Sequence, residues 1–134
     1  MADKNAQLSI EQLEGDIWPE PGFTSRLVAR CHALRKVPTG DLEPEDFRVL
    51  IDEGIGLACV IPAALAKLKT NLFLEGDMFE GDVLMAVVKQ KDFILKSPEM
   101  SKEFVEICRR ATNASHCPLT KRNLFRIHAV LDEI

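Results

Sequence analysis

The sequence predicts an all-α fold: one compact domain over residues 1–134, of about six to seven helices joined by short connections rich in glycine and proline. Three observations predict it. Apolar residues recur at three- and four-residue spacing through most of the chain. Helix-start signals, a hydroxyl or acidic residue ahead of a proline or a first-turn acid, precede most of these runs. The one valine-rich stretch that propensity would make a strand, Val83 to Val88, has no strand partner elsewhere in the chain.

Taken in order, Ser9-Ile10-Glu11-Gln12 is a capping-box pattern that opens a short helix, and Gly15 ends it. Residues 1–8 ahead of it are read as flexible. Trp18-Pro19-Glu20-Pro21-Gly22 forms an extended connector, because its prolines lack amide donors and disfavour helix. Thr24 or Ser25 caps the next helix, whose Leu27, Val28, Cys31 and Leu34 share an apolar face with Arg26, Arg30 and Arg35 mostly off it. Pro38 and Gly40 stop that helix.

In Glu43-Pro44-Glu45-Asp46 the proline suits the first helical position and the carboxylates suit the positive end of the helix dipole. Phe47, Leu50 and Ile51 supply the buried stripe. Gly54-Ile55-Gly56 then breaks the chain before a helix that begins near Leu57 or Ala58, with Ile61, Leu65, Leu68 and Leu72 inward and Pro62 placed in its first turn. The turn-rich segment Glu75 to Asp82 leads into Val83–Val88, read as a buried helix. Ser97-Pro98-Glu99 starts another, with Met100, Phe104, Ile107, Cys108 and Ala111 on one side. A last helix from Thr120 carries Leu124, Ile127, Leu131 and Ile134 inward, with Leu119 and Leu124 as a hydrophobic staple.

The chain of 134 residues, 46% hydrophobic and 28% charged, is within the ordinary range for a soluble domain. It holds no apolar run near the roughly 18 residues that span a bilayer, and its start lacks the basic and apolar regions of a signal peptide, so the expected address is the cytoplasm. Formal net charge is −4, unevenly spread. Residues 41–82 carry ten acids against three bases, whereas residues 83–134 carry nine bases against six acids. An acidic middle repels phosphates and draws basic partners.

The chemistry-bearing motifs are mostly missing. The chain holds no G-x-S-x-G elbow, phosphate-binding glycine loop, H-E-x-x-H or dinucleotide fingerprint. Cys31, Cys59, Cys108 and Cys117 form no C-x-x-C pair and read as small core residues. Cys31-His32 and His116-Cys117 are adjacent pairs, which is not structural-zinc spacing. Glu75, Asp77, Glu80 and Asp82 supply oxygen atoms but not in calcium-loop order, so Asp77 and Asp82 read as turn and cap residues, with Asp82 accepting amide hydrogens of the helix it opens. His32 reads as a core-edge histidine bonded to a main-chain carbonyl; the competing reading is a small hydrolase using His32 with a carboxylate. The helix pair over 44–70 has the outline of a helix-turn-helix, but its first helix is acidic and its second apolar, against nucleic acid binding.

From about residue 13 to 88 the residues resemble the immunity proteins of bacterial contact-dependent growth inhibition systems. The resemblance rests on Leu27-Val28, Cys31-His32, Leu34-Arg35 and Pro38; on Glu45-Asp46-Phe47-Arg48; on Ile55-Gly56-Leu57, Ile61-Pro62 and Ala64-Leu65; and on Glu75-Gly76-Asp77 with Gly81-Asp82-Val83-Leu84. It departs at Glu43, where the family pattern favours a Ser or Thr cap, and at Asp52-Glu53, which make the first inter-helix turn more acidic than the family pattern. Such a resemblance implies a cytoplasmic, non-catalytic protein; the missing motifs and ligand spacings lead to the expectation of no cofactor and no metal. That protein binds the C-terminal domain of its cognate toxin, often a nuclease, and covers its active or substrate-binding surface. Charged, turn-adjacent residues off the apolar stripes are the expected toxin contacts: Asp41, Glu45, Asp52, Glu53, Asp77 and Glu80. The alternative contact face is the basic C-terminal third, with Arg109, Arg110, Lys121, Arg122 and Arg126. A third reading is a helical adaptor for another basic protein.

Overall fold

Capping chemistry lays out the chain much as the residue order predicts. The structure, a computed structural model, describes residues 4–20, 22 and 25–133. Over these, eight α-helices and two short 3-10 turns follow one another, and no strand forms. Helix α1 (Ile10–Glu14) is held by the full Ser9–Gln12 capping box. Helix α2 (Arg26–Leu34) is capped by Ser25, whose hydroxyl accepts from the Val28 amide; the alternative cap, Thr24, lies outside the described residues. Helix α3 (Pro44–Asp52) begins with its proline at the first position, and the Asp46 carboxylate reaches back to the Glu43 amide at 2.9 Å. Glu43 thus replaces a hydroxyl cap without loss of the helix start.

Helix α4 (Leu57–Thr70) is the longest apolar rod and buries Val60, Ile61, Ala64, Leu65 and Leu68. Pro62 is its sixth residue, in the second turn and not the first as predicted. The cost is small because both Pro62 and Ala58, whose carbonyl loses a helical partner, are exposed to water. Helix α5 (Asp82–Lys89) is the centre of the domain, with every residue from Asp82 to Val88 buried. The valine-rich segment is therefore a buried helix, packed on α3 and α4.

Gln90 turns the chain into a short extra helix, α6 (Lys91–Leu95), and donates its side-chain amide to the Ile51 carbonyl at 2.8 Å. Helix α7 (Pro98–Thr112) starts at the Ser97 cap and buries Phe104, Ile107, Cys108 and Ala111 against α4 and α6. Helix α8 (Lys121–Asp132), capped by Thr120, closes over α5 and α7 with Ile127 and Val130 fully buried. Ile134, placed on its stripe by the sequence, lies outside the described residues.

The N-terminal segment is tied to the α2–α3 connection. Lys4–Gln7 forms a 3-10 turn, the Thr39 amide donates to the Leu8 carbonyl at 2.9 Å, and the Glu11 amide donates to the Arg35 carbonyl at 3.0 Å. Residues 1–3 lie outside the described residues. The α3–α4 turn is fixed by Gly56, whose φ is +62° and where a Cβ would come within 2.8 Å of Ile10 Cγ2. Only glycine lets α1 press this close to the start of α4.

One predicted apolar face is only half used. Cys31, Leu34 and the neighbouring His32 are buried, but Leu27 is 42% and Val28 49% exposed. Only the second half of α2 reaches the core.

Candidate functional site

The outward side of α3 and the segments flanking it gather most of the residues predicted to make contacts. Glu45, Arg48 and Asp52 follow at three- and four-residue spacing and form one ridge. The Arg48 guanidinium takes both Glu45 oxygens at 2.5 Å and Asp52 Oδ2 at 3.0 Å. Glu45 also accepts the Asp77 amide at 3.0 Å, which ties the loop after α4 to the start of α3. Both acids are half-buried here. Arg48 cancels one of the two negative charges, so the pair braces the structure while the ridge stays net acidic.

The Arg48 hydrogen bonds hold the Glu45 carboxyl below the usual carboxylate range, with the Asp77 amide adding to the effect and partial burial opposing it. The lowered value means the ion is favoured in the folded chain. Its contribution is present above the ordinary carboxylate pKa of about 4.3 and disappears as pH falls through the folded value. We therefore expect thermal melts of the wild type and of Glu45→Gln to differ by a constant amount between about pH 7 and 5 and to converge below about pH 4. A gap unchanged down to the acid transition would show that the charge of Glu45 does not matter.

Asp82 is placed differently from the sequence expectation. It does not cap α5, whose N-cap is Gly81. Its carboxylate, 2% exposed, points back into the preceding loop and accepts the amides of Gly76 at 2.6 Å, Met78 at 3.0 Å and Phe79 at 3.2 Å. A buried acid needs several donors, and the loop supplies three. Gly76 is required for the same reason: a Cβ there would lie 2.7 Å from Glu45 Oε1 and 3.0 Å from Asp82 Oδ2. The Glu75-Gly76-Asp77 motif is thus architecture, clamped between carboxylates from α3 and α5.

With those acids accounted for, Asp41, Glu53, Asp77 and Glu80 are exposed and make no ion pair among the described residues. Asp77 and Glu80 belong to the clamped loop, beside exposed Met78 and Phe79. Asp41 lies in the 3-10 turn Thr39–Asp41, at a separate depression bordered by Lys67 and Leu74. Glu53 follows the last turn of α3 on the flank that faces α2, where Arg30 and Asp46 also pair at 2.9 Å.

Between Glu53 and α2 lies a notch of about 360 Å³, which residue patterning did not find. Its walls include Trp18, Pro19, Leu27, Val28 and Ile55. The connector that makes one wall is held from beneath. Arg35, 1% exposed, donates to Glu14 Oε1 at 2.7 Å and to the Asp16 carbonyl at 2.8 Å, and its guanidinium carbon lies 3.9 Å from the Trp18 ring centre. His32, also buried, sets Nε2 at 3.3 Å from the Trp18 carbonyl and 3.1 Å from that of Pro19. Both neighbours are acceptors, so Nε2 carries the proton and donates. That nitrogen is therefore engaged with the main chain, as the core-edge reading of His32 expects.

The cysteines do not meet; all four are free, with Cys31 and Cys108 buried. Burial pushes the Cys108 thiol up to about 12 and also raises Cys31 and Cys59, which makes these weak nucleophiles. Among the described residues no group of three or more His, Cys, Asp or Glu side chains converges to hold a metal ion, and no helix is long and apolar enough to cross a membrane. The alternative basic face is built partly from α8, where Phe125 is 73% exposed beside Arg126.

A family model described as CDI immunity proteins matches residues 12–107. The matched stretch runs from α1 into α7 and includes the notch, the Arg48 ridge and the Asp82-clamped loop. No curated protein and no solved structure matches the chain.

Proposed function

The chain belongs to the family of CDI immunity proteins, and from that premise we propose that it binds the C-terminal domain of its cognate toxin in the cytoplasm and neutralises it by covering the toxin's active or substrate-binding surface. The family match over most of the chain carries this reading. The distribution of charge supports it and suggests the toxin's chemistry. A nuclease needs a basic surface to hold phosphates, and the unpaired carboxylates of Asp41, Glu53, Asp77 and Glu80 present the opposite sign. The inhibitor then acts through shape and field, without making or breaking a bond.

The test is direct: mix the chain with the toxin domain encoded beside it and measure binding and toxin activity together. Tight one-to-one association with stoichiometric loss of nuclease activity is the expected result. No association at micromolar concentration in moderate salt would end the proposal. Charge steering adds a kinetic signature. Reversing Asp77 and Glu80 to Lys together should slow association about tenfold at low salt and flatten its salt dependence, with dissociation changed less. Stopped-flow association rates check this, and an unchanged on-rate would move the contact to another face, first of all the basic one on α8.

A further inference from the structure

We propose that the notch between Trp18 and α2 is the anchor point for the toxin domain: it receives an apolar side chain projecting from the toxin, and a lysine or arginine next to that side chain pairs with Glu53. This rests on the toxin-binding reading above and adds the surface that reading does not specify.

Three independent features carry it. The first is exposed apolar area in one place. Trp18 (38% exposed), Leu27 (42%) and Val28 (49%) line the notch, and Ile17 (74%) adjoins Trp18 in the chain. Together they make up half of the large hydrophobic side chains exposed among the described residues. Contiguous exposed apolar surface rimmed by polar groups marks contact sites in soluble proteins, and tryptophan is the residue most often found at their energetic centre.

The second is preorganisation. Holding a surface connector does not require a buried arginine, yet Arg35 is placed beneath it with Nε buried and without an acceptor. His32 is likewise committed to the Trp18 and Pro19 carbonyls. Burying such groups is unfavourable for folding. The return is a wall already fixed in shape, which reduces the entropy lost when a partner docks.

The third is charge. Glu53 is the one carboxylate among the lining residues and has no ion pair among the described residues. An apolar seat with a single unpaired anion at its rim fits a side chain with a cationic neighbour, as a basic nuclease surface would present. The notch, about 360 Å³, is at the low end of the roughly 300–1,000 Å³ of small-molecule clefts, which suits one inserted side chain.

The experiment is calorimetric titration of the toxin domain into the wild type and into Leu27→Asp, Val28→Asp, Glu53→Gln and, as a control on the separate apolar patch of α8, Phe125→Asp. Leu27→Asp and Val28→Asp should each raise Kd at least about 30-fold, as loss of a central anchor does, while thermal melts stay near the wild type because both positions are exposed. Glu53→Gln should raise Kd about three- to tenfold and weaken its salt dependence. Phe125→Asp should leave it unchanged. If an aspartate variant fails to fold, Leu27→Ala with Val28→Ala keeps the test, with an expected rise of about tenfold.

Wild-type binding with unaltered Kd in the Leu27 and Val28 variants overturns the anchor and leaves the toxin-binding reading standing. Absence of wild-type binding removes both. A wild-type dimer, seen by sedimentation and dissolved by Leu27→Asp with toxin affinity intact, assigns the notch to a second copy and overturns the proposal. Aspartate variants that melt early but bind normally assign it to the chain's own packing, with the same consequence.

Discussion

Replacing Arg35 with alanine is expected to lower the folding free energy by about 3–5 kcal/mol, more than any surface substitution in the chain. Its guanidinium joins three things that are far apart in sequence: the end of α1 through Glu14, the connector through the Asp16 carbonyl, and the Trp18 ring. Truncation leaves the Asp16 carbonyl without its donor, removes the cation–π contact, worth about 0.5–2 kcal/mol, and empties the space of a long side chain. Arg35→Met should be milder, since it keeps most of that volume and removes the acceptor-less Nε along with the charge. Trp18 is the single tryptophan, so its emission follows the connector directly. In Arg35→Ala it should shift to the red and become more accessible to acrylamide before the global transition, and in Arg35→Met less so. Urea unfolding with both probes checks this. A loss below about 1 kcal/mol would place Arg35 among ordinary surface ion pairs and remove the preorganisation argument for the notch.

The contrast between Arg35 and the helix caps shows what sequence reading reaches. Ser9, Ser25, Ser97 and Thr120 each cap a helix by bonding the amide three residues ahead, and Pro44 and Pro98 sit at first-turn positions. These signals are local, so the order of letters contains them. So does the Glu45–Arg48–Asp52 ridge, whose three- and four-residue spacing lets one guanidinium bridge two of the six predicted contact residues. What joins Arg35 to Trp18, or Asp82 to the amides of Gly76 and Met78, is set by how the helices pack. Periodicity assigns a side chain to a face but does not say whether that face is covered. Leu27 and Val28 are the clearest instance: the pattern placed them with Cys31 and Leu34, and the packing left them outside, where they become the most informative residues for binding.

Asp82→Ala should lower stability by about 3 kcal/mol, because a buried carboxylate serving three amides cannot be removed without stranding them. Gly76, Met78 and Phe79 all donate to it, and the residue itself is 2% exposed. Asp82→Asn separates shape from charge. It keeps the size, yet one of its two terminal atoms becomes an NH₂ that faces an amide instead of accepting from it, so about 2 kcal/mol should still be lost. Gly76→Ala attacks the same clamp from the other side, by forcing a methyl against the Glu45 and Asp82 oxygens. Because these groups share one network, the Asp82→Ala and Gly76→Ala losses should fall short of additive in the double variant, as coupled neighbours do. The loop also carries Asp77 and Glu80, so amide hydrogen exchange over residues 76–80 should accelerate in Asp82→Ala well before α5 itself exchanges. If instead the loop stays protected and stability drops by less than about 1 kcal/mol, its order must come from the Asp77 amide on Glu45 at 3.0 Å and the Gly81 amide on the Phe73 carbonyl at 3.1 Å. The buried carboxylate would then be tolerated by the fold, not used by it.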